Sequence, residues 1–169
     1  MTKPPPLKMH TDANAVAGHE ARLAALGLTL PTPAAPVAAY VPAVEAAGLL
    51  HVSGQLPFQD GQVMTGRVDD DRTPDYANKA ARQCGIMLLA QIRQALGSLD
   101  RVERVVKLNV FVNSDPRFGG QPQVANGVSE LMIEVFGEAG RHARAAVGVA
   151  ALPLGAIVEA DAIVAVRPA

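Results

Sequence analysis

A long helical pattern that runs straight into a strand pattern constrains this chain more than any other feature. Residues 73–97, TPDYANKAARQCGIMLLAQIRQALG, set Ala77, Ala80, Ala81, Cys84, Leu88, Ile92 and Ala95 three and four positions apart. That spacing draws one apolar stripe along a helix. Thr73 offers an N-cap side chain, Pro74 suits the first helical position, and Gly97 suits the turn that closes the end. Much of the stripe is alanine, so the helix can lie close against an apolar sheet. The next segment supplies a strand for such a sheet. Val102 to Val112, VERVVKLNVFV, is rich in β-branched residues. Asn113-Ser114-Asp115-Pro116 then ends it with turn chemistry.

The rest of the chain follows the same reading. Tyr40–Val44 and Leu49–Ser53 are short strands around a turn at Glu45–Gly48, and GQLPFQDGQV turns at Asp60-Gly61. A second helix fits residues 122–136 and closes at Gly137. Two strands, about 142–150 and 156–166, finish the chain around a Leu-Pro turn. The order β-β-(β)-α-β-α-β-β predicts an α+β fold, with two helices packed on one face of a mixed sheet. In the last strand Val158, Ala160, Ala162, Val164 and Val166 point one way, toward the helices. Ile157, Glu159, Asp161 and Ile163 point the other way. In strand 142–149 Arg144, Ala146 and Gly148 share a face. If these two strands pair, Arg144 and Glu159 share the face away from the helices. A face that mixes acids with isoleucines suits a subunit interface or a lined cleft.

Residues 1–35 read as an extension to a domain spanning 36–169. A Pro-rich start is followed by a short helix capped by Asp12 or Asn14 and ended by Gly27. Its apolar positions, Val16, Leu23 and Leu26, are sparse, which predicts a surface appendage. Four prolines in residues 30–43 predict an extended connector.

Composition excludes several classes. The chain has 169 residues, a length that suits one domain, and 49% of them are hydrophobic against 18% charged. A net charge of −1, no Trp, two Tyr and four Phe argue against a nucleic-acid partner. No apolar run approaches the roughly 18 residues of a membrane span, and none resembles a signal peptide. The expected location is the cytoplasm. Cys84, the only cysteine, allows no internal disulfide and falls in the apolar stripe, so it reads as a buried structural thiol. His10, His19, His51 and His142 lack metal-ligand spacing, so no metal site is expected. His142 reads as a polar strand-end residue and His51 as structural. Ser53 is not in a nucleophile elbow, and no phosphate-binding glycine loop is present. Lys79, Arg82 and Arg93 read as a solvated helix face.

Four segments carry a resemblance. VSGQLPF at 52–58, RVVKLNVFV at 104–112, Asn126 ahead of a helix ending in Phe136, and HARAAVGVAALPLGAIVEADAI at 142–163 occur in the order and spacing of one family. Over residues 36 to 167 the chain resembles the RidA family of reactive imine and enamine deaminases, also known as the L-PSP endoribonuclease family. The resemblance implies a chorismate-mutase-like fold and a homotrimer, with its sheets forming a central barrel and its clefts between subunits. It implies hydrolysis of 2-imino acids to 2-keto acids and ammonia, without metal or organic cofactor. Arg144 matches the arginine that holds the substrate carboxylate, and Glu159 matches the acid that holds the attacking water. Tyr40, Asn126 and the Ser53-Gly54 loop match cleft-lining positions. Ala146 stands where a thiol is common, and His142-Ala143-Arg144-Ala145-Ala146 replaces a Pro-Ala-Arg-(Ser/Thr) run. These departures, with the N-terminal extension, mark a divergent subgroup.

Taken on residue type alone, Arg144 more often serves as an interface ion-pair residue. Glu159 and Asp161 more often belong to a solvated strand face. The resemblance favours an enzyme with Arg144 as clamp and Glu159 as base. The alternative is a trimer that holds small carboxylates without turnover. Ribonuclease activity has less support, since no basic groove or paired histidine is visible.

Overall fold

The computed structural model describes residues 18–33 and 39–168. The helical pattern folds as α2 (Pro74–Leu96). Thr73 Oγ1 accepts from the Tyr76 N–H at 3.2 Å, and Gly97, at φ 79°, closes the other end. Ala77, Ala80, Ala81, Cys84, Leu88 and Ile92 are completely buried. Ala95 faces outward, and Leu96 fills the core in its place.

Before α2 come α1 (His19–Ala25), β1 (Ala43–Ala46), β2 (Leu49–Gln55), β3 (Phe58–Gln59) and β4 (Gln62–Val63). After it come β5 (Val102–Asn113), α3 (Gln121–Phe136), β6 (Ala143–Val149) and β7 (Val158–Val166). The first strand begins at Ala43, three residues after Tyr40, because Pro42 precedes the first ladder pair. β3 and β4 form a hairpin through Asp60 and Gly61, both at positive φ, as a two-residue hairpin turn requires.

The main sheet has the order β1-β2-β7-β5-β6. All neighbours are antiparallel except β5 and β6. α2 lies over β2 and β7, and α3 lies over β5 and β6. Both pack on the face that carries Val158, Ala160, Ala162, Val164 and Val166, all buried. The alternation read from the last strand therefore holds from Val158 to Val166, but Ile157, expected on the opposite face, precedes the strand and is completely buried in the core. The opposite face carries Glu159, Asp161 and Ile163 half-buried, and Val44 and Val147 exposed. No helix among the described residues is long and apolar enough to cross a membrane.

Two expectations change. First, β6 and β7 do not pair, because β5 lies between them. A parallel neighbour needs a long crossover, and α3 supplies it from β5 to β6. That leaves the other edge of β5 to β7. Leu108 is in register with Arg144 and with Ala162, while Phe111 is in register with Val147 and with Glu159. Registered residues share a face. Arg144 is thus on the helix side and Glu159 on the open side.

Second, α1 is docked rather than appended. Leu23 is 2% exposed, and the His19 ring stands edge-on to Phe136 at 4.9 Å. His19 Nε2–H donates to Val102 O at 3.1 Å. Glu20 accepts from Arg93 and from the Leu99 N–H at 2.9 Å. One buried leucine and two polar anchors from distant segments suffice, which sparse local hydrophobicity cannot report. The proposed caps Asp12 and Asn14 lie outside the described residues, as does part of the Pro-rich connector. Arg93 thus ties α1 to α2, and Arg82 ties α2 to α3 through Glu134 at 2.7 and 3.2 Å. Neither belongs to a merely solvated face.

The α2–α3 contact depends on Gly127. A Cβ there would sit 2.1 Å from Asn78 O and 3.0 Å from Arg82 N, both backbone atoms. Gly127→Ala should therefore cost about 1–3 kcal/mol in denaturant unfolding, the usual range for overpacking. Gly119→Ala, with no atom within 4 Å of its Cβ, is the near-neutral control. Equal stability of the two variants would contradict this packing.

Candidate active site

Arg144 stands near the start of the edge strand β6, and α3 holds its guanidinium. Nη1 donates to Asn126 Oδ1 at 3.0 Å and to Ser129 Oγ at 2.9 Å, and Nη2 donates to Pro122 O at 3.1 Å. A guanidinium carries five N–H donors. Among the described residues, Nε–H and one Nη2–H stay free. Those two can lie along one edge, the arrangement that takes both oxygens of a carboxylate. Asn126 and Ser129 are one helical turn apart and so meet the arginine together.

Ser129 has a second partner. His142 Nδ1 lies 2.6 Å from Gly140 O, which can only accept, so Nδ1 carries the hydrogen. In the neutral ring Nε2 is then an acceptor, and it takes the Ser129 O–H at 3.0 Å. Burial first, and then the Arg144 charge, hold His142 below its ordinary value against the opposing bond to Gly140. The donor chain runs from Arg144 through Ser129 to His142. It fixes the guanidinium in one orientation, so His142 is more than a strand-end residue.

Glu159 lies two strands away, roughly 10 Å across the sheet, and on the other face. Its neighbour is the Ser53-Gly54 segment, where the pairing of β2 with β7 shifts register between Val52 and Gln55. A Cβ on Gly54 would fall 1.9 Å from Glu159 Oε1, so only glycine leaves room for the carboxyl. Gln55 Nε2 holds this bend through Ser53 O at 3.1 Å and Gly54 O at 3.1 Å. Gln91 on α2 donates to Gln55 Oε1 at 3.5 Å, and both glutamines are more than 90% buried. Burial raises the Glu159 carboxyl above the ordinary range, and the Asp161 charge raises it further. Asp161 accepts from Asn109 Nδ2 at 2.8 Å on the same open face. Cys84 is buried beneath, and its thiol donates to Val158 O at 3.6 Å. Burial and then Glu159 push that thiol well above its ordinary value, so it is inert as a nucleophile.

The residues singled out from sequence thus fall into two groups. Glu159, Ser53 and Gly54 meet on one side. Arg144, Asn126 and Ala146 meet on the other. Tyr40 is 52% exposed and precedes β1, at the sheet edge opposite β6. His51 is exposed on β2. Sequence reasoning missed Gln55, Gln91, Ser129 and the working of His142. A polar Gln91 beside an apolar helical stripe was the one visible signal. The others act through partners remote in sequence.

The family described as "YjgF/chorismate_mutase-like, putative endoribonuclease" matches residues 20–163. The chain belongs to the RidA/YjgF family. It is 56% identical to Protein TCP17 of Trypanosoma cruzi over 146 residues, 85% of this chain and 91% of that protein. The 2-iminobutanoate/2-iminopropanoate deaminase of Dermatophagoides farinae is 27% identical over 142 residues, 83% of this chain and 95% of that one. The crystal structure of Atu1372 from Agrobacterium tumefaciens, a protein of unknown function, superimposes with a TM-score of 0.82 at 49% identity, covering 88% of this chain and 92% of that one. The fold is therefore the YjgF chorismate-mutase-like fold, as the sequence resemblance implied.

For this family member the raised Glu159 pKa has a consequence for stability. The folded chain binds the Glu159 proton more tightly than the unfolded chain does. This contribution is fully present below the ordinary carboxylate value of 4.5 and is lost as pH rises through the higher folded value. Glu159→Gln should therefore unfold at a higher temperature than wild type at pH 7, with the gain vanishing below pH 4.5. A variant less stable than wild type at pH 7 would contradict the desolvation argument.

Proposed function

We propose that the protein hydrolyses small 2-imino acids to 2-keto acids and ammonia, in clefts formed between the chains of a homotrimer. The carrying observation is the half-buried Glu159 carboxyl, packed against Gly54 and held above the ordinary carboxylate range. A carboxylate whose proton affinity is raised in this way is a stronger proton acceptor than an ordinary one. Arg144, with two donors free along one edge, complements a substrate carboxylate. The deaminase name of the Dermatophagoides farinae relative supports this reading.

In the reaction, Glu159 takes a proton from water as the water oxygen bonds to the imine carbon. The C=N π electrons move to nitrogen, which takes that proton back from Glu159 to give a carbinolamine. Glu159 then accepts the carbinolamine hydroxyl proton as the C=O bond forms and the C–N bond breaks, and passes it to the departing nitrogen, which leaves as ammonia. Arg144 keeps the carboxylate fixed throughout.

Because Arg144 and Glu159 lie on opposite faces of one chain, this reading requires Glu159 of one chain to meet Arg144 of the next. The half-buried and exposed apolar residues of the open face, with Val44 and Val147 among them, suit contact with a second copy. Ala145 and Ala146, which supply no hydroxyl or thiol beside Arg144, favour the alternative of carboxylate binding without turnover.

A pyridoxal-phosphate dehydratase acting on serine or threonine would supply the imine, with keto-acid release followed against the spontaneous rate. Glu159→Gln should slow hydrolysis by about a hundredfold or more while sparing carboxylate binding. Arg144→Ala should lose both. Co-assembly of the two inactive variants should restore activity in about a quarter of the clefts if each cleft takes one residue from each of two chains. Wild type without acceleration, but with carboxylate binding that Arg144→Ala abolishes, would select the binding reading.

A further inference from the structure

A separate recess lies toward the opposite end of β6 from Arg144. It is a cleft of about 370 Å³ lined by Arg67, Ser114, Asp115, Gln121, Gly148 and Val149. Its position follows from the fold: Ser114 ends β5, Gln121 starts α3 and Gly148 lies late in β6.

The loop that carries Arg67 is anchored. Val68 N donates to Asn113 O at 2.9 Å, and Asp115 N donates to Val68 O at 2.9 Å. Arg67 N donates to Asp71 Oδ1, and Arg67 O accepts from the N–H groups of Asp71 and Arg72 at 3.1 Å each. Yet the Arg67 guanidinium has its Nε–H buried without a partner among the described residues. Asp115, the acid that also lines the cleft, is engaged elsewhere. It accepts from Arg117 N at 2.9 Å and Arg117 Nε at 3.0 Å. The Arg67 Nε–H is closed to solvent, but the guanidinium makes no hydrogen bond or ion pair among the described residues and Arg67 lines the cleft, so its remaining N–H groups are the ones a ligand would meet.

The floor of the cleft is also rich in donors. Ser114 is 4% exposed and lines the cleft. Gln121 Nε2 gives one hydrogen to Phe118 O at 2.6 Å and keeps a second. Ser114 Oγ and Gln121 Nε2 converge on Gly148, each 3.0 Å from where a Cβ would stand. Any side chain at 148 would crowd both. Gly120 is the N-cap of α3 and supplies no side-chain hydrogen bond. Arg67 and Arg117 stand against Asp115, Asp71 is paired with Arg72 at 3.9 Å, and Asp69 and Asp70 are exposed to solvent.

We propose that this cleft is a second ligand site, which takes a small molecule bearing an oxyanion, either a carboxylate or a phosphate. Arg67 provides the anchoring charge, and Ser114 and Gln121 donate from the floor. Pro116, Val149 and Ala150 give an apolar wall for the remainder of the ligand. The site shares no residue with the Arg144 and Glu159 groups, so it does not depend on the deaminase reading.

The test is an NMR titration of the full chain with inorganic phosphate and, separately, with pyruvate, following the amide signals of Ser114 and Gly148 and the side-chain amide of Gln121. At least one probe should shift these signals with millimolar or better affinity. Arg67→Gln and Gly148→Val should each weaken that binding about tenfold or more. Arg144→Ala should leave it intact. Thermal unfolding checks that the variants fold, and Arg67→Gln carries the test alone if Gly148→Val does not. Binding of only one probe names the oxyanion. No shift with either probe, affinity unchanged in Arg67→Gln, or loss in Arg144→Ala would overturn the proposal.

Discussion

The chemistry of this chain depends on the insertion of β5 between the two C-terminal strands. β5 pairs parallel with β6 and antiparallel with β7, so its register decides the face of every residue on both. Through Leu108 it turns Arg144 toward α3, and through Phe111 it turns Glu159 away. The crossover that makes β6 parallel is α3 itself. The same helix then supplies Asn126, Ser129 and the Pro122 carbonyl that hold the guanidinium. Topology and side-chain orientation therefore have a single cause.

Around Glu159 the sequence of causes runs from packing to proton affinity. α2 approaches the sheet closely because small residues line the first half of its stripe, with Ala77, Ala80, Ala81 and Cys84 fully buried. That approach brings Gln91 to Gln55. The buried amide pair holds the Ser53-Gly54 bend, and the missing Cβ of Gly54 admits the Glu159 carboxyl. Burial there, beside Asp161, raises its affinity for a proton. Buried amides are tolerated only when their bonds are made, so Gln55 and Gln91 stabilise the bend only as a pair. Arg144 is treated differently. Its orientation comes from an ordered chain of donors that runs through Ser129 and ends on His142.

Much of the architecture was legible in the chain. The limits of α2 follow from Thr73, Pro74 and Gly97, and the Asp60-Gly61 turn from two residues that accept positive φ. The alternation of β7 marked its buried face residue by residue. These signals are local, arising within one or two turns of backbone. Arg144, Glu159, Ser53, Gly54 and Asn126 could be singled out, but not their grouping. That grouping is set by which strands pair, and chain neighbours are not always sheet neighbours. The docking of α1 escaped notice for a related reason, since its partners Arg93, Leu99 and Val102 are more than seventy residues away.

The sequence by itself determined the element types, the caps, the core faces and the family. Each of these rests on the steric preferences of single residues or on a short periodic pattern. The tertiary structure alone decided that Arg144 and Glu159 occupy opposite faces, that Gly54 and Gly148 make room for polar groups, and that His142 reaches Arg144 through Ser129. These facts depend on strand order and on contacts across the chain, which no local spacing encodes.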